Sequence, residues 1–424
     1  MEDAKAQRAV EAVWRIESPR LIAGLTRMVR DVGLAEDLAQ DALVAALEKW
    51  PATGVPDNPG AWLMATAKHR AIDILRRSSR FEAKREELAH EVGIKMALEG
   101  AELDREIGDD LLSLVFVCCH PLLSTGARVA LTLKLMGGLT TPEIARAFLV
   151  TEATVAQRIV RAKRTLKEAG VPFEVPAGAE LDERLPSVLG AIYLIFNEGY
   201  SATAGEDLVR PGLCNEALRL GRQLAELAPR QAEVHGLVAL MEIQASRTVA
   251  RVGPGGEPVL LLDQDRRRWD PLLIRRGLAA LERARSLSRE RDASGGRTPR
   301  PLGFYGLQAA IAACHAEALS AEETDWVKIA ALYEALVQVA PSPVVALNRA
   351  VAVGMAFGPE AGLALVEEIA AEPALAKYHL LPSVRGDLLA KLGREEEARA
   401  EFERAASLTA NERERELLLR RAVG

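Results

Sequence analysis

The sequence predicts an all-α protein: two small helical domains followed by a larger helical one. Three observations point there. Ala, Leu, Arg and Glu dominate while aromatic residues make up only 4% of the chain, a composition that favours helix over sheet. Apolar residues recur at three- and four-residue spacing over long stretches. The length, 424 residues, exceeds what one core ordinarily serves, and an acidic run and a Pro/Gly cluster divide the chain.

Residues 1–85 form the first domain. Val10, Val13, Trp14, Leu21, Ile22 and Leu25 give a stripe at helical spacing, Leu34–Trp50 a second helix, and Ala61–Arg77 a third that ends in basic residues. Between the last two, Pro51–Pro59 is rich in Pro, Gly, Asp and Asn and reads as a loop. Residues 86–109 carry Glu86, Glu87, Glu91, Glu99, Glu102, Asp104, Glu106 and Asp109 against Lys95 and Arg105, as an acidic linker would. Residues 110–170 form a second helical domain. Residues 171–180, with Pro172, Pro176 and Gly178, read as a hinge.

Residues 181–424 form the extension, and its motifs partly repeat. Leu220, Leu224 and Ala228-Pro229 return as Leu332, Leu336 and Ala340-Pro341. Leu392-Gly393, Ala398 and Phe402 fit the tetratricopeptide pattern, with Ala361 and Leu365 about one 34-residue repeat earlier. One helix pair of this kind cannot bury its own apolar face, so stacking is expected. Val252–Asp270 interrupts the pattern and reads as an ordered insertion.

The bulk numbers narrow the function. A net charge of −6 requires any nucleic-acid binding to come from local patches. Four cysteines in a chain this long do not form a disulfide framework, and a reducing cytoplasm fits them. The first residues lack the pattern of a signal peptide, and Leu111–Cys119 and Leu189–Phe196 are too short to span a membrane, so no membrane partner is expected. Cys118-Cys119-His120 suggests a metal site, but neighbouring helical cysteines diverge and no Cys-x-x-Cys partner exists, so a buried helix end is the better reading. No phosphate loop, serine elbow or zinc-protease motif occurs; neither catalysis, a metal nor a cofactor is expected.

The sharpest local signal is Leu139–Lys167. Thr140 or Thr141 can cap a short helix with Pro142 and Glu143 in its first turn, a turn follows near Val150–Glu152, and a longer helix runs to Glu168. On that helix Val155, Ile159, Ala162 and Leu166 share one face. Gln157, Arg161 and Arg164 project opposite, flanked by Arg158 and Lys163. An apolar back with long donors in front suits a recognition helix, whose Arg and Gln read base edges while flanking cations meet phosphates. An ordinary solvated amphipathic helix would also carry this pattern. Leu149 fills the turn position where Gly is common, so the turn departs from the usual geometry.

Ala35-Glu36-Asp37-Leu38-Ala39-Gln40-Asp41-Ala42-Leu43, then Trp50, then Ala61-Trp62-Leu63 with Lys68, Arg70, Asp73, Arg76 and Arg77, resembles region two of sigma factors of the extracytoplasmic-function group. Residues 110–170 resemble their region four. The resemblance implies that Asp37, Leu38, Gln40, Asp41 and Glu48 lie on the helix that docks core RNA polymerase. It implies that the loop with Asp57 and Asn58 captures a flipped −10 base, and that Trp62, Lys68, Arg70, Arg76 and Arg77 grip melted promoter DNA. An aromatic beside a basic helix suits single-stranded DNA, although core packing is the first reading of Trp62 taken by itself. His69 stands where the family often has Asn. By the same resemblance the −35 element falls to Gln157, Arg158, Arg161, Lys163 and Arg164.

Tyr193-Leu194-Ile195-Phe196-Asn197-Glu198-Gly199-Tyr200, Leu262–Arg266 and Trp269-Asp270 resemble the sigma-factor subgroup with a long C-terminal helical extension. That subgroup points to an extension needed for activity, with an extension that blocks the sigma domains until a signal arrives as the other reading, acting on its own sigma domains or on an unknown protein or peptide. Asn197, Glu198 and Tyr200 either line a pocket of the extension or satisfy buried groups at a helix end. Two other functions fit parts of the sequence: a helix-turn-helix regulator with a repeat-based sensor, and a repeat scaffold. The acidic helix Glu36–Glu48 separates sigma factor from regulator, and the basic helix Arg158–Lys167 separates both from scaffold.

Overall fold

In the computed structural model, residues 2–77, 100–148, 150–201, 204–205, 208–289 and 301–423 are described. Helices account for nearly all regular structure among them; the exception is a two-residue parallel strand pair, Ala204–Gly205 with Ala410–Asn411. The chain divides into two units, Met1–Ile192 and Tyr193–Gly424. Leu149 and residues 86–99 of the expected acidic linker lie outside the described residues.

The first unit opens with α1 (Glu2–Val29), α2 (Val32–Thr53) and α3 (Pro59–Arg77), which pack on one another. Leu21, Ile22 and Leu25 of α1, Leu38, Ala42, Ala46 and Trp50 of α2, and Leu63, Ala67 and Ala71 of α3 are buried. Arg30 ends α1 with φ 55, a left-handed conformation that costs a side-chain-bearing residue about 1–2 kcal/mol. Asp31 at once restarts the chain: its carboxylate accepts from the Gly33 and Leu34 amides at 2.8 and 3.1 Å and caps α2. α2 continues through Pro51, because a proline in a last turn forfeits only one ladder bond, and stops where Gly54 turns to φ 82. The expected Pro51–Pro59 loop therefore shortens to residues 54–58.

Residues 100–109, assigned from the sequence to the acidic linker, are helical: α4 runs Gly100–Cys118. It is buried from Asp110 onward; α1 packs on it, and the start of α8 (Ala179–Tyr200) hydrogen-bonds to its end. Arg184 of α8 donates to the Phe116 carbonyl at 3.1 Å and Ser187 to that of Cys119, satisfying orphan acceptors at the end of α4. α5 (Thr125–Leu135), α6 (Thr141–Ala147) and α7 (Glu152–Glu168) complete the unit. Leu185, Val188, Leu189 and Ile192 of α8 are buried and fall within the first unit, Met1–Ile192.

The second unit contains the rest of α8 and then α9 (Pro211–Leu227), α10 (Ala232–Ala245), α11 (Pro271–Arg289), α12 (Phe304–Glu317), α13 (Trp326–Val339), α14 (Pro343–Phe357), α15 (Pro359–Ile369), α16 (Leu380–Lys391), α17 (Glu395–Leu408) and α18 (Glu412–Val423). From α12 onward each helix packs on the next; α10 is the hub for α9, α11 and α12 and is buried almost throughout. Backbones meet directly there: a Cβ on Gly236 would lie 2.7 Å from the Gly306 nitrogen. Glu233 caps α12, accepting from the Tyr305 and Gly306 amides at 2.9 and 3.2 Å. The two sequence-similar segments end their helices alike. Ala228 and Ala340 each donate at 2.8 Å to the carbonyl four residues back, Leu224 and Leu336, and both leucines are buried.

Val252–Asp270 is ordered. It holds a bridge between Val252 and Pro258 and short turns at Leu261–Asp263 and Arg266–Arg268. Arg266 staples it to the end of α12, donating to the carbonyls of His315 and Ala318 and to the Thr324 hydroxyl. The Arg247 and Arg266 guanidinium groups lie over the buried Trp269 ring, 5.6 and 5.1 Å from its centroid. His315 is buried beside them, and burial followed by the charges of Arg247 and Arg266 pushes its imidazole down to about 4.

A histidine held neutral makes the extension acid-sensitive. Above pH 6.5 neither folded nor unfolded chain protonates it. Between pH 6.5 and 4 the unfolded chain takes up a proton that the fold refuses, so stability falls as pH falls, by about 3 kcal/mol at the limit. Urea midpoints followed by tryptophan fluorescence are expected to drop between pH 7 and 5 in the wild type and to drop less in His315→Gln; equal drops would rule out His315 as the source.

Candidate nucleic-acid interface

The helix-turn-helix is set by two caps. Thr140 closes the first: its amide and hydroxyl donate to Glu143 Oε2, both at 2.7 Å, and its hydroxyl accepts from the Glu143 amide at 3.3 Å. Of the two threonines proposed from the sequence, Thr140 therefore caps α6. Thr151 caps α7 by accepting from the Thr154 amide at 3.2 Å. The buried residues of α7 are Val155, Ile159, Ala162 and Leu166, and each of the larger ones contributes about 1.5–3 kcal/mol by leaving water. This apolar back presents Gln157, Arg158, Arg161 and Arg164 to solvent. Arg164 makes an exposed pair with Glu168 at 3.5 Å, and the Arg158 guanidinium lies over Gly126 at the start of α5.

Lys163 departs from its expected place. Its side chain is only 20% exposed and forms an ion pair with Glu36 Oε2 of α2. Glu36 is buried at 3% exposure; its other oxygen faces Lys134 of α5 at 3.7 Å and accepts from the Gln40 amide at 2.8 Å. One helical turn further along α7, Lys167 pairs with Asp31 at 2.7 Å. Burial pushes the Asp31 carboxyl up, but Lys167 and the Leu34 and Gly33 amides outweigh it and hold the group below its ordinary value. Lys163 is thus turned to α2 rather than placed with the exposed row, because a buried carboxylate needs a cation. The pairing of Glu36 and Asp31 with Lys134, Lys163 and Lys167 escaped the sequence reading, since nothing local signals a contact between helices so distant along the chain.

On α2, Asp37, Gln40, Asp41 and Glu48 are exposed. Leu38 is not: at 1% exposure it belongs to the core, and the exposed large apolar residues of α2 are Val44 and Leu47. Asp41 pairs with Arg70 of α3 at 2.8 Å, joining a residue expected at the polymerase to one expected at DNA. Asp57 is exposed, whereas Asn58 caps α3 by accepting from the Ala61 amide at 3.0 Å. Trp62 is half-buried and meets Trp50 edge-to-face at 5.4 Å, with the Lys49 ammonium 6.0 Å from its ring. Lys68 is half-buried, and Arg76 and Arg77 end α3 with side chains outside the described set.

In the second unit the polar atoms of Asn197, Glu198 and Tyr200 are engaged within the fold. Glu198 pairs with Arg210, and Asn197 bonds the Tyr193 hydroxyl. The Tyr200 hydroxyl accepts from Arg247 at 2.8 Å, and its ring lies between Phe196 and the Arg251 guanidinium, 3.7 Å from the ring centroid. They knit the end of α8 to the segment after α10. Cys118 and Cys119 are buried at the end of α4; burial pushes the Cys119 thiol up to about 11, and its sulfur meets the Thr132 hydroxyl at 3.3 Å. Among the described residues no group of His, Cys, Asp and Glu could hold a metal ion, and no helix is long and apolar enough to cross a membrane.

Residues 14–81 match the sigma-70 region 2 family and residues 113–166 the sigma-70 region 4 family. The chain belongs to the sigma-70 family, in its extracytoplasmic-function group. Residues 184–285 match a family of unknown function (DUF6596), so this sigma factor carries a C-terminal extension with a family of its own. An uncharacterized protein of Rhizobium meliloti is 45% identical over 395 residues, covering 93% of this chain and 90% of the relative. A probable ECF RNA polymerase sigma factor, SigI, of Mycobacterium tuberculosis is 28% identical over 167 residues, covering 39% of this chain and 57% of that one.

The cap of α7 yields a direct test. Thr151→Ala is expected to cost about 1 kcal/mol by orphaning the first-turn amide, while Thr151→Ser retains the bond. Thermal melts of both variants would decide it; identical midpoints would mean that the cap carries no weight.

Proposed function

We propose that this sigma factor binds core RNA polymerase through the exposed acidic face of α2, reads a −35 element with α7 and a −10 element with residues 54–77, and so starts transcription. The observation that carries the reading is the exposed row Gln157, Arg161 and Arg164, held outward by a buried apolar back, in one unit with exposed Asp37, Gln40 and Glu48. Arg can bond guanine O6 and N7, and Gln can bond adenine N6 and N7, so the row has the donors that a major groove sorts. Trp62, half-buried with Lys49 above its ring, supports contact with an unstacked base while remaining part of the α2–α3 packing.

Transcription in vitro with core polymerase and a candidate promoter tests this reading. Asp37→Lys is expected to weaken co-purification with the core, and it is cleaner than reversal of Asp41, which would also break the Arg70 pair. Arg161→Ala should cost about 1–3 kcal/mol and relax preference at one base pair, whereas Arg158→Ala should weaken all sequences alike and lower the salt dependence. Equal, sequence-blind losses from the two would sink the base-reading assignment, and unaltered core binding by Asp37→Lys would count against the docking face.

The extension is proposed to control the sigma module. Support comes from the relative whose similarity runs through the sigma regions and the extension together. The proposed sense is positive: the extension is needed for activity and acts on the sigma domains of its own chain or through a bound protein or peptide. Removal should begin after Ile192 rather than in the hinge, because Arg184 and Ser187 close the end of α4. A protein of residues 1–192 that keeps its circular dichroism is expected to be silent. Raised activity would mark the extension as an inhibitor, and wild-type activity would end the proposal.

A further inference from the structure

The chain has five tyrosines, and all of them lie in the second unit. Tyr193 and Tyr200 stand about two turns apart on one face of α8. Tyr305 opens α12, Tyr333 lies in α13 and Tyr378 comes just before α16. The Tyr305 ring meets that of Tyr193 edge-to-face, at 5.4 Å and 73°. Tyr193 also acts electrostatically on Tyr333 and on Tyr378. Tyr333 is seated on the core of α12, α13 and α14, and Tyr378 on that of α14 to α18. Both are half-buried, as is Tyr193. Two separate cores thus bring a phenol each to Tyr193. The Tyr193 hydroxyl donates to Gln308 Oε1 at 3.2 Å, and Gln308 Nε2 is buried without a partner. The hydroxyls of Tyr305, Tyr333 and Tyr378 make no hydrogen bond among the described residues.

We infer that Tyr193, Tyr305, Tyr333 and Tyr378 form a site for an arginine side chain of a partner peptide. Charge complementarity carries the inference. The charges that act on Tyr305 and Tyr378 are the carboxylates Glu233 and Glu414. Glu414 is shared with His379 at 3.3 Å, whereas Glu233 accepts from two amides and has no cationic partner among the described residues. Ring faces attract a guanidinium through their quadrupole, more strongly where water is kept out. Burial pushes the Tyr333 phenol up to about 12, so that ring stays neutral and the attraction is to its face. Tyr200 already shows the pairing: the Arg251 guanidinium lies 3.7 Å from its ring centroid, and Arg247 donates to its hydroxyl at 2.8 Å. Among the described residues no cation of the chain lies over the other four rings. A guanidinium can also donate in its own plane to the open phenol oxygens. A quaternary ammonium has no donor for them. A free guanidinium has no acceptor for Gln308 Nε2, while a peptide carries a carbonyl beside its arginine. This names the chemistry of the protein or peptide proposed to act through the extension; binding is read without transcription, so the two readings fail separately.

Isothermal titration calorimetry of the full chain with acetyl-Gly-Arg-Gly-amide, and with the same peptide carrying citrulline, tests the site. Citrulline keeps the shape of arginine and lacks its charge. The arginine peptide is expected to bind about tenfold tighter or more, and to keep that preference at high salt, which screens exposed charges and spares enclosed ones. Tyr333→Leu should weaken the arginine peptide about three- to thirtyfold, the value of one cation–π contact partly removed from water. Tyr333→Phe keeps the ring and should lose less. Tyr378→Leu, seated on the other core, gives the same reading where Tyr333→Leu disturbs folding. Equal binding of the two peptides would overturn the site, as would arginine-peptide affinity unchanged in folded Tyr333→Leu and Tyr378→Leu. Tetramethylammonium bound as tightly as the arginine peptide would overturn the peptide as its occupant.

Discussion

Glu36 has almost no access to water, and burying a carboxylate is costly unless cations pair with it. Lys163 and Lys134 meet the requirement from α7 and α5, and Gln40 completes it from the next turn of α2. Much of the first unit follows from this. The residue that anchors α7 to α2 is flanked by those α2 would offer to polymerase, and the lysine that satisfies it belongs to the helix that would offer itself to DNA. Charge neutralisation therefore ties α7 to α2 within the first unit.

The second unit solves a similar problem by other means. Its arginines act as staples: Arg266 on the carbonyl end of α12, Arg247 and Arg251 on Tyr200, Arg210 on Glu198. Planar guanidinium groups fit here because they can stack on rings while donating in their own plane. The insertion Val252–Asp270 is part of this scheme. The Trp269 ring lies against two arginines, and burial, followed by the charges of Arg247 and Arg266, pushes the His315 imidazole down. Asn197, Glu198 and Tyr200, conspicuous in the sequence, are used up in holding the end of α8.

Several features of the candidate interface could be read from residues close together in the chain. Val155, Ile159, Ala162 and Leu166 repeat at three- and four-residue intervals, so any helix there must bury them together. Thr140 and Glu143 stand at the spacing of a capping box and make both of its bonds. Other features resisted the same reading. Leu38 looked like a surface residue of the docking helix and is core, because its exposure depends on where α1 lies. Arg184 and Ser187 looked like the start of the extension and instead finish the first unit, because the carbonyls they satisfy lie at the end of α4.

By itself the sequence determined the helical class, the division into paired sigma domains and an extension, and the two faces of α7. The helical class and the two faces of α7 follow from periodicity, capping chemistry and composition, which act over a few residues and hold whatever the chain does elsewhere; the paired sigma domains followed from the resemblance of their motifs to the family. Only the tertiary structure decided that Lys163 and Lys167 turn to α2, that Asp41 is tied to Arg70, and that the first unit ends at Ile192. Charge pairing and burial depend on which helices come to lie side by side, and a lysine on a solvated face has the same local sequence whether its partner is a phosphate or a carboxylate of its own chain.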